Sequence, residues 1–246
     1  MQTVQLPNVE KENAPLAFTG EYFVPGKSPQ RIADDHLERY RFAQRYVQGK
    51  HVLDIACGIG YGSQFLLEGG AASYQGVDIQ EQVIEQAQEI YGTNDARFSV
   101  DSITTFQASR PFDVIVCFET IEHVPDFRGA LKNLSTLLAP NGTLLISSPH
   151  RHVVSPYSRL LTDKPRNRFH VQEFVPEELM EELDAVGFEK SKQELYGQRQ
   201  RKMTRSRFMR KLKKMLFPNP DETTSPQVTA MSPSLTPRYF VVVAHR

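Results

Sequence analysis

The run His51-Val-Leu-Asp-Ile-Ala56, closing into Cys57-Gly-Ile-Gly-Tyr-Gly62, constrains the fold more than any other part of this sequence. It reads as a short β-strand that ends in a glycine-rich turn and opens a helix over Ser63–Gly69. The same texture then repeats. Tyr74–Asp78 reads as a second strand, Glu81–Tyr91 as a helix, and Arg97–Val100 as a third strand. Phe112–Phe118 is apolar throughout, as a central parallel strand should be. A helix over Phe127–Leu138, stopped at Pro140-Asn-Gly142, leads to a fifth strand at Thr143–Ser147. Strands alternating with helices predict an α/β fold, a parallel sheet with helices on both faces.

The flanks have a different character. Residues 1–17 are polar and aperiodic and read as a disordered tail. Residues 18–48 read as an N-terminal lid and helix, with aromatics among turn formers at 18–26 and an amphipathic pattern at 30–48. Residues 49–246 form the main domain. Within it, 149–172 is a long connection, Glu177–Val186 a helix, and Glu189–Leu195 a weak strand. Residues 199–237 are an insertion, basic in its first part and proline-rich in its second. Tyr239–Val243 closes the chain as a clear strand.

Composition narrows the setting. The 246 residues carry zero net charge, so bulk charge points to neither nucleic acid nor membrane. Cys57 and Cys117 both lie in apolar, strand-like runs, a poor disulfide framework that fits a reducing compartment. The start shows no signal-peptide pattern, and no apolar run approaches the roughly 20 residues that span a bilayer. The expectation is a cytoplasmic protein, with peripheral membrane contact left open.

Glycines between strand and helix let the backbone turn tightly and approach a ligand, and the helix amides then face that ligand. Asp78, at the end of the second strand, can accept hydrogen bonds from both hydroxyls of a ribose. Nicotinamide dinucleotides use the same logic, so NAD is the natural competitor. Two details separate them. Asp54 stands where dinucleotide fingerprints carry glycine, and the third glycine, Gly62, follows Gly60 by two residues rather than three. A carboxylate at 54 can hold an ammonium group, directly or through water, and would repel a pyrophosphate. Asp101-Ser102 follows the third strand, where a carboxylate can accept from an adenine amino group.

Val52-Leu-Asp-Ile-Ala-Cys-Gly-Ile-Gly-Tyr-Gly62, Gly76-Val-Asp-Ile79, Phe112-Asp-Val-Ile-Val116 and Leu138-Ala-Pro-Asn-Gly-Thr-Leu-Leu-Ile146 resemble the successive motifs of class I S-adenosylmethionine-dependent methyltransferases. The resemblance covers about residues 50–150. It implies a Rossmann-like seven-stranded sheet whose last strand, here Tyr239–Val243, is antiparallel. It further implies S-adenosylmethionine as cofactor and S-adenosylhomocysteine as product. Asp54 and the turn at Ala56, Gly58 and Gly60 would hold the methionine moiety, and Asp78 the ribose. Ile79 would pack on adenine, Asp101 and Ser102 would address its edge, and Phe118 would lie beside the cofactor.

A narrower resemblance, to bacterial methyltransferases of surface-polysaccharide and glycan assembly, rests on Phe18-Thr-Gly-Glu-Tyr-Phe-Val-Pro25, His36-Leu-Glu-Arg-Tyr40 and Asn167-Arg-Phe-His-Val-Gln-Glu-Phe174. It implies a lid containing Tyr22 over the cofactor, and a sugar hydroxyl as acceptor. Methyl transfer to a hydroxyl needs in-line alignment and a base for the proton. His123 and His170 are the candidate bases, and Glu122 could orient an imidazole.

Glu119-Thr-Ile-Glu122-His123 also resembles the divalent-ion segment of quinone-biosynthesis O-methyltransferases, which makes quinone methylation the alternative reaction. Related enzymes carry these residues without metal, and no metal ligand is assigned here. His150, His152 and His170 match no closed zinc spacing. A binding module that kept the fold without turnover is the non-enzymatic alternative. Residues 199–217 place Phe208, Met209, Leu212, Met215 and Leu216 at helical spacing among many Lys and Arg. That basic amphipathic pattern suits an anionic membrane surface or a lipid-linked substrate, or a solvated helix over the sheet edge. Nucleic acid fits less well, because no base-stacking motif accompanies it.

Overall fold

The computed structural model describes residue 24 and residues 28–202 and 224–246. The tail at 1–17, Tyr22 with most of its aromatic stretch, and the amphipathic pattern from Phe208 to Leu216 lie outside the described residues.

Strands β1 (His51–Ile55), β2 (Ser73–Asp78), β3 (Ala96–Val100), β4 (Phe112–Phe118), β5 (Leu138–Pro149), β6 (Gln193–Gln198), β7 (Thr229–Ala230) and β8 (Tyr239–His245) form one sheet in the order β3-β2-β1-β4-β5-β8-β6-β7. The β3-to-β5 half is parallel, with Asp54 opposite Gly76 on one side and Val116 on the other. β8 runs antiparallel to both β5 and β6, with Ile146 opposite Val242. The last strand is therefore antiparallel, as expected.

The described residues hold eight strands rather than the expected seven. The extra one, β7, pairs only Ala230 and Thr229 with Tyr196 and Gly197 at the sheet's edge. A two-residue pairing inside a proline-rich stretch carries no periodicity for a sequence to display. β6 also lies later than the weak strand expected at 189–195, because Lys190–Lys192 is spent on a 3-10 turn.

Helices cover both faces because strand side chains alternate. On one face, α1 (Gln30–Ala43), α2 (Gly62–Glu68) and α3 (Glu81–Tyr91) pack Tyr40, Phe65 and Val83 against Val52, Val116 and Val243. On the other, α4 (Phe127–Leu137) and α6 (Pro176–Ala185) pack Leu131, Leu134, Leu179 and Leu183 against Leu53, Ile115 and Val242. Burying each such side chain contributes about 1.5–3 kcal/mol, so these faces hold the sheet rigid. Asp126 caps α4 by accepting from the Gly129 N–H at 3.0 Å. Pro176 opens α6, and the Val175 N–H donates to Glu178 at 3.2 Å.

α1 departs from a simple amphipathic helix by burying charge. Asp35 and Arg39, four residues apart, face β6. Asp35 accepts from Arg199 Nε at 2.6 Å, and Arg39 donates to Gln198 Oε1 at 2.7 Å. α1 is thereby locked to the sheet. The connection after β5 contains a short helix, α5 (Arg151–Val154).

Candidate functional site

The strand order reverses between β1 and β4, so the connections from their carboxyl ends part to opposite faces and leave a crevice. A cavity of about 370 Å³ occupies it. Ala56, Cys57 and Gly58 line it from the turn after β1, Asp78, Ile79 and Gln80 from β2, and Asp101, Ser102 and Ile103 from β3. Phe118, Glu119, Thr120 and His123 close the other side, with His36, Tyr40 and Tyr61 behind them.

Asp78 is held by two backbone donors, Gly58 N–H to Oδ2 and Gln80 N–H to Oδ1, both at 3.0 Å. Burial raises its pKa above the usual carboxylate value, and those amides pull it back. Ile79 beside it is 70% exposed, an apolar side chain presented to the cavity. Asp101 accepts from Ser102 N–H at 2.7 Å and from the Thr105 hydroxyl at 2.8 Å, which fixes its carboxylate at the rim.

Asp54 lies beneath the cavity rather than in its lining and is 1% exposed. Its carboxylate accepts from Tyr40 at 3.0 and 3.2 Å and from Tyr74 at 2.8 Å. Burial raises its pKa to about 7, against the two phenols, and the Asp78 charge adds to the rise. Gly62 makes this possible: a β-carbon there would stand 2.2 Å from the Tyr40 ring. Gly60 is also outside the lining. Its φ of +80° and the Phe98 ring, 2.6 Å from where a β-carbon would sit, explain the glycine by packing.

Two non-glycine residues adopt left-handed backbone at the cavity, Ala56 (φ 61°) and Glu119 (φ 52°). Such strain persists only where its surroundings impose it. At Glu119 the Ser147 hydroxyl does so, accepting from the Glu119 N–H at 3.0 Å and donating to its carboxylate at 2.8 Å. Arg39, 1% exposed, lies 3.9 Å from the same carboxylate.

The two candidate bases occupy different positions. His123 sits in the cavity wall, on a 3-10 turn, with Nδ1 3.1 Å from the Phe169 carbonyl. A carbonyl only accepts, so Nδ1 carries the hydrogen, and in the neutral ring Nε2 carries the lone pair. His170 lies behind it, edge-on at 4.9 Å. Its Nδ1 is 2.7 Å from the buried Glu173 carboxylate and its Nε2 2.8 Å from the Asn167 amide nitrogen. Both of its nitrogens are engaged, and it does not line the cavity.

Glu122 is buried, and its carboxylate accepts from Ser148 at 3.3 Å. Burial and the neighbouring Glu119 hold its pKa well above the ordinary value. Among the described residues, Glu122, His123 and His170 bring one potential ligand atom each within 4.8 Å of one another. Glu119, the first acidic residue of the metal-like pattern, turns instead to Ser147 and Arg39. His150 and His152 meet with tilted rings, centroids 5.6 Å apart, and are not in that group.

Sequence reasoning assigned no role to His36, Tyr40, Tyr61 or Tyr74. His36 and Tyr40 were legible as an i, i+4 pair on one face of α1. His36 Nδ1 meets the Tyr61 hydroxyl at 3.0 Å, and burial, aided by Arg39, lowers its pKa well below the ordinary value. Nothing in the pattern at Tyr61 and Tyr74 marked their contacts with α1 and Asp54, which arise only in the packed fold.

An α/β sheet with this crossover, a glycine turn after β1 and acidic residues after β2 and β3 defines a nucleotide-type binding fold of the methyltransferase kind. The family model described as a methyltransferase domain matches residues 29–193, and the chain belongs to that family. A probable S-adenosylmethionine-dependent methyltransferase of Mycolicibacterium smegmatis is 32% identical over 176 residues, 71% of this chain and 66% of the relative. A ubiquinone biosynthesis O-methyltransferase of Coxiella burnetii is 36% identical over 118 residues, 46% of this chain and 50% of the relative. The matches therefore span only about half to two thirds of these relatives. Among solved structures, the N-methyltransferase NodS of Bradyrhizobium japonicum in complex with S-adenosyl-L-homocysteine shares the fold, with a TM-score of 0.57 and 16% identity over 89% of each chain.

Proposed function

We propose that the chain transfers a methyl group from S-adenosylmethionine to a phenolic hydroxyl of a small, quinone-type acceptor. The observation that carries the chemistry is His123, an imidazole in the cavity wall whose tautomer is set by the Phe169 carbonyl. The cavity fits the cofactor: its volume of about 370 Å³ lies in the range of small-ligand sites. Asp78 is preset to accept from two ribose hydroxyls, Ile79 and Ile103 offer an apolar slot for adenine, and Asp101 with Ser102 meets its edge. Tyr40, bonded to Asp54, carries the influence of that carboxylate to the methionine end. Tyr22 is proposed as part of a lid over this site.

When bound, S-adenosylmethionine supplies a methyl group on a positively charged sulfur. The residues of this chain align the acceptor oxygen and manage its proton. His123 Nε2 accepts the hydroxyl proton as the oxygen–methyl bond forms and the sulfur–methyl bond breaks, worth about 10²–10⁴-fold. Glu119, anchored by Ser147 and facing Arg39, lines the same cavity. His170 and Glu173 back His123 from behind rather than touching the acceptor.

A phenol is more acidic than a sugar hydroxyl and suits a neutral imidazole better. The apolar lining at Phe118, Val124 and Pro125 also favours an aromatic ring over a sugar, and the Coxiella relative's name supports the same choice. The test is calorimetric titration with S-adenosylhomocysteine and NAD, then mass-spectrometric assay of a catechol-type quinone precursor against a nucleotide sugar. Binding of the first ligand alone, methylation of the catechol, and His123→Gln lowering kcat by about 10²–10⁴ with unchanged ligand affinity are expected. NAD binding overturns the cofactor assignment, and methylation of the sugar alone overturns the acceptor.

A further inference from the structure

The loop after α5 has an outer face that the methyl-transfer reading does not use. Its inner side is built into the protein. Arg151, buried, donates to the Glu173 carbonyl at 2.7 Å, the Arg159 carbonyl at 3.1 Å and both carboxylate oxygens of Glu178. Ser155 accepts from the Arg166 N–H at 2.7 Å, Ser158 donates to the Lys164 carbonyl at 3.0 Å, and Leu161 packs on the core. The loop is a closed, ordered structure.

Its outer side combines apolar and cationic groups. Tyr157 is 87% and Leu160 63% exposed, and Val171 is half exposed. Arg159, Lys164, Arg166 and Arg168 are exposed. Among the described residues none of these four has a carboxylate partner. The loop's own acid, Asp163, is tied to the loop backbone, accepting from the Arg159 and Leu160 N–H groups at 2.7 and 3.0 Å. An ordered loop whose one carboxylate is engaged by its own backbone, and whose tyrosine, leucine and four cations face outward, suits a surface with anionic headgroups above an apolar layer.

The loop also reaches the cavity. The Phe169 carbonyl holds His123, and the Val171 N–H donates to the Glu122 carbonyl at 2.9 Å. We infer that residues 156–168 dock this protein on an anionic lipid bilayer, with Tyr157 and Leu160 entering the interface and the four cations contacting headgroups. The cavity wall at His123 is then held close to the membrane surface. The inference is independent of which hydroxyl is methylated and of the basic segment at 203–217.

The test uses the full chain in flotation with phosphatidylcholine vesicles, with and without phosphatidylglycerol. Binding to the anionic vesicles alone is expected. Arg159→Gln/Lys164→Gln should weaken it by about 30-fold, taking about fivefold per charge, and Tyr157→Ser/Leu160→Ser should also reduce it. Melting temperature and S-adenosylhomocysteine affinity should stay at wild-type values, because every altered side chain is exposed. The protein has no tryptophan, so Tyr157→Trp supplies a single reporter. Its emission should shift to the blue and be quenched by brominated lipid on the anionic vesicles. Wild-type flotation by both double variants, an unshifted reporter on protein that floats, or no vesicle binding at all would overturn the inference.

Discussion

Replacing Asp54 with asparagine should change how stability depends on pH, by an amount the structure sets. The carboxyl group is 1% exposed and its pKa is raised to about 7, with burial the main cause. In the unfolded chain the value is about 3.9. Between about pH 4 and 7 the folded protein therefore retains a proton that the unfolded chain has lost. Stability falls wherever the folded state binds more protons as pH rises, so this group destabilises the fold progressively through that window. Three pH units correspond to about 4 kcal/mol, fully expressed above pH 7 and absent below pH 4.

Asparagine keeps an acceptor for the hydroxyls of Tyr40 and Tyr74 and cannot ionise. Urea unfolding of both proteins across pH 4–8 isolates the effect, because other titrating groups largely cancel in the difference. The variant should gain about 4 kcal/mol on the wild type between the two ends of the series. Parallel curves would refute the raised pKa. An ammonium group bound near Asp54 would draw the pKa down again. Ligand binding near pH 6–7 should then release a proton, measurable by calorimetry in buffers of different ionisation enthalpy and lost in Asp54→Asn.

Asp78→Asn should weaken S-adenosylhomocysteine by about 10–100-fold, the worth of charge-assisted hydrogen bonds, and calorimetry would detect it. Unchanged affinity would remove Asp78 from the site. Gly60→Ala must adopt φ near +80° against the Phe98 ring and should lower unfolding stability by about 2–4 kcal/mol in urea titration. Arg151→Met leaves Glu178 and two carbonyls without their buried donor. It should cost about 3–5 kcal/mol and open the 155–166 loop to proteolysis.

The cavity-lining residues after β1, β2 and β3 were legible because each is tied to a strand end. Asp78 and Asp101 stand one step past apolar runs, and a parallel sheet brings all such ends to one edge. The opposite wall of the cavity was not legible in that way. Choosing His123 over His170 depends on which imidazole meets a carbonyl and which meets Glu173, and those partners lie 46 and three positions away. The place of Asp54 beneath the cavity depends on Tyr40 and Tyr74 converging from a helix and a neighbouring strand. β7 escaped because a two-residue pairing has no pattern. The burial of Asp35 and Arg39 on α1 was not legible either, since it depends on partners far along the chain.

The backbone strain follows the same division. Ala56 and Glu119 end adjacent strands, and both hold left-handed conformations that glycine would adopt at no steric cost. Glycine at 119 would relieve about 1–3 kcal/mol of strain. It would also remove the carboxylate that Ser147 and Arg39 hold at the cavity wall, leaving Arg39 buried with one anionic neighbour fewer. A glycine-preferring conformation occupied by glutamate therefore means that the side chain is worth more to this site than the strain costs. The rigid sheet between two apolar layers is what allows that trade, because its core offsets a local penalty of this size many times over.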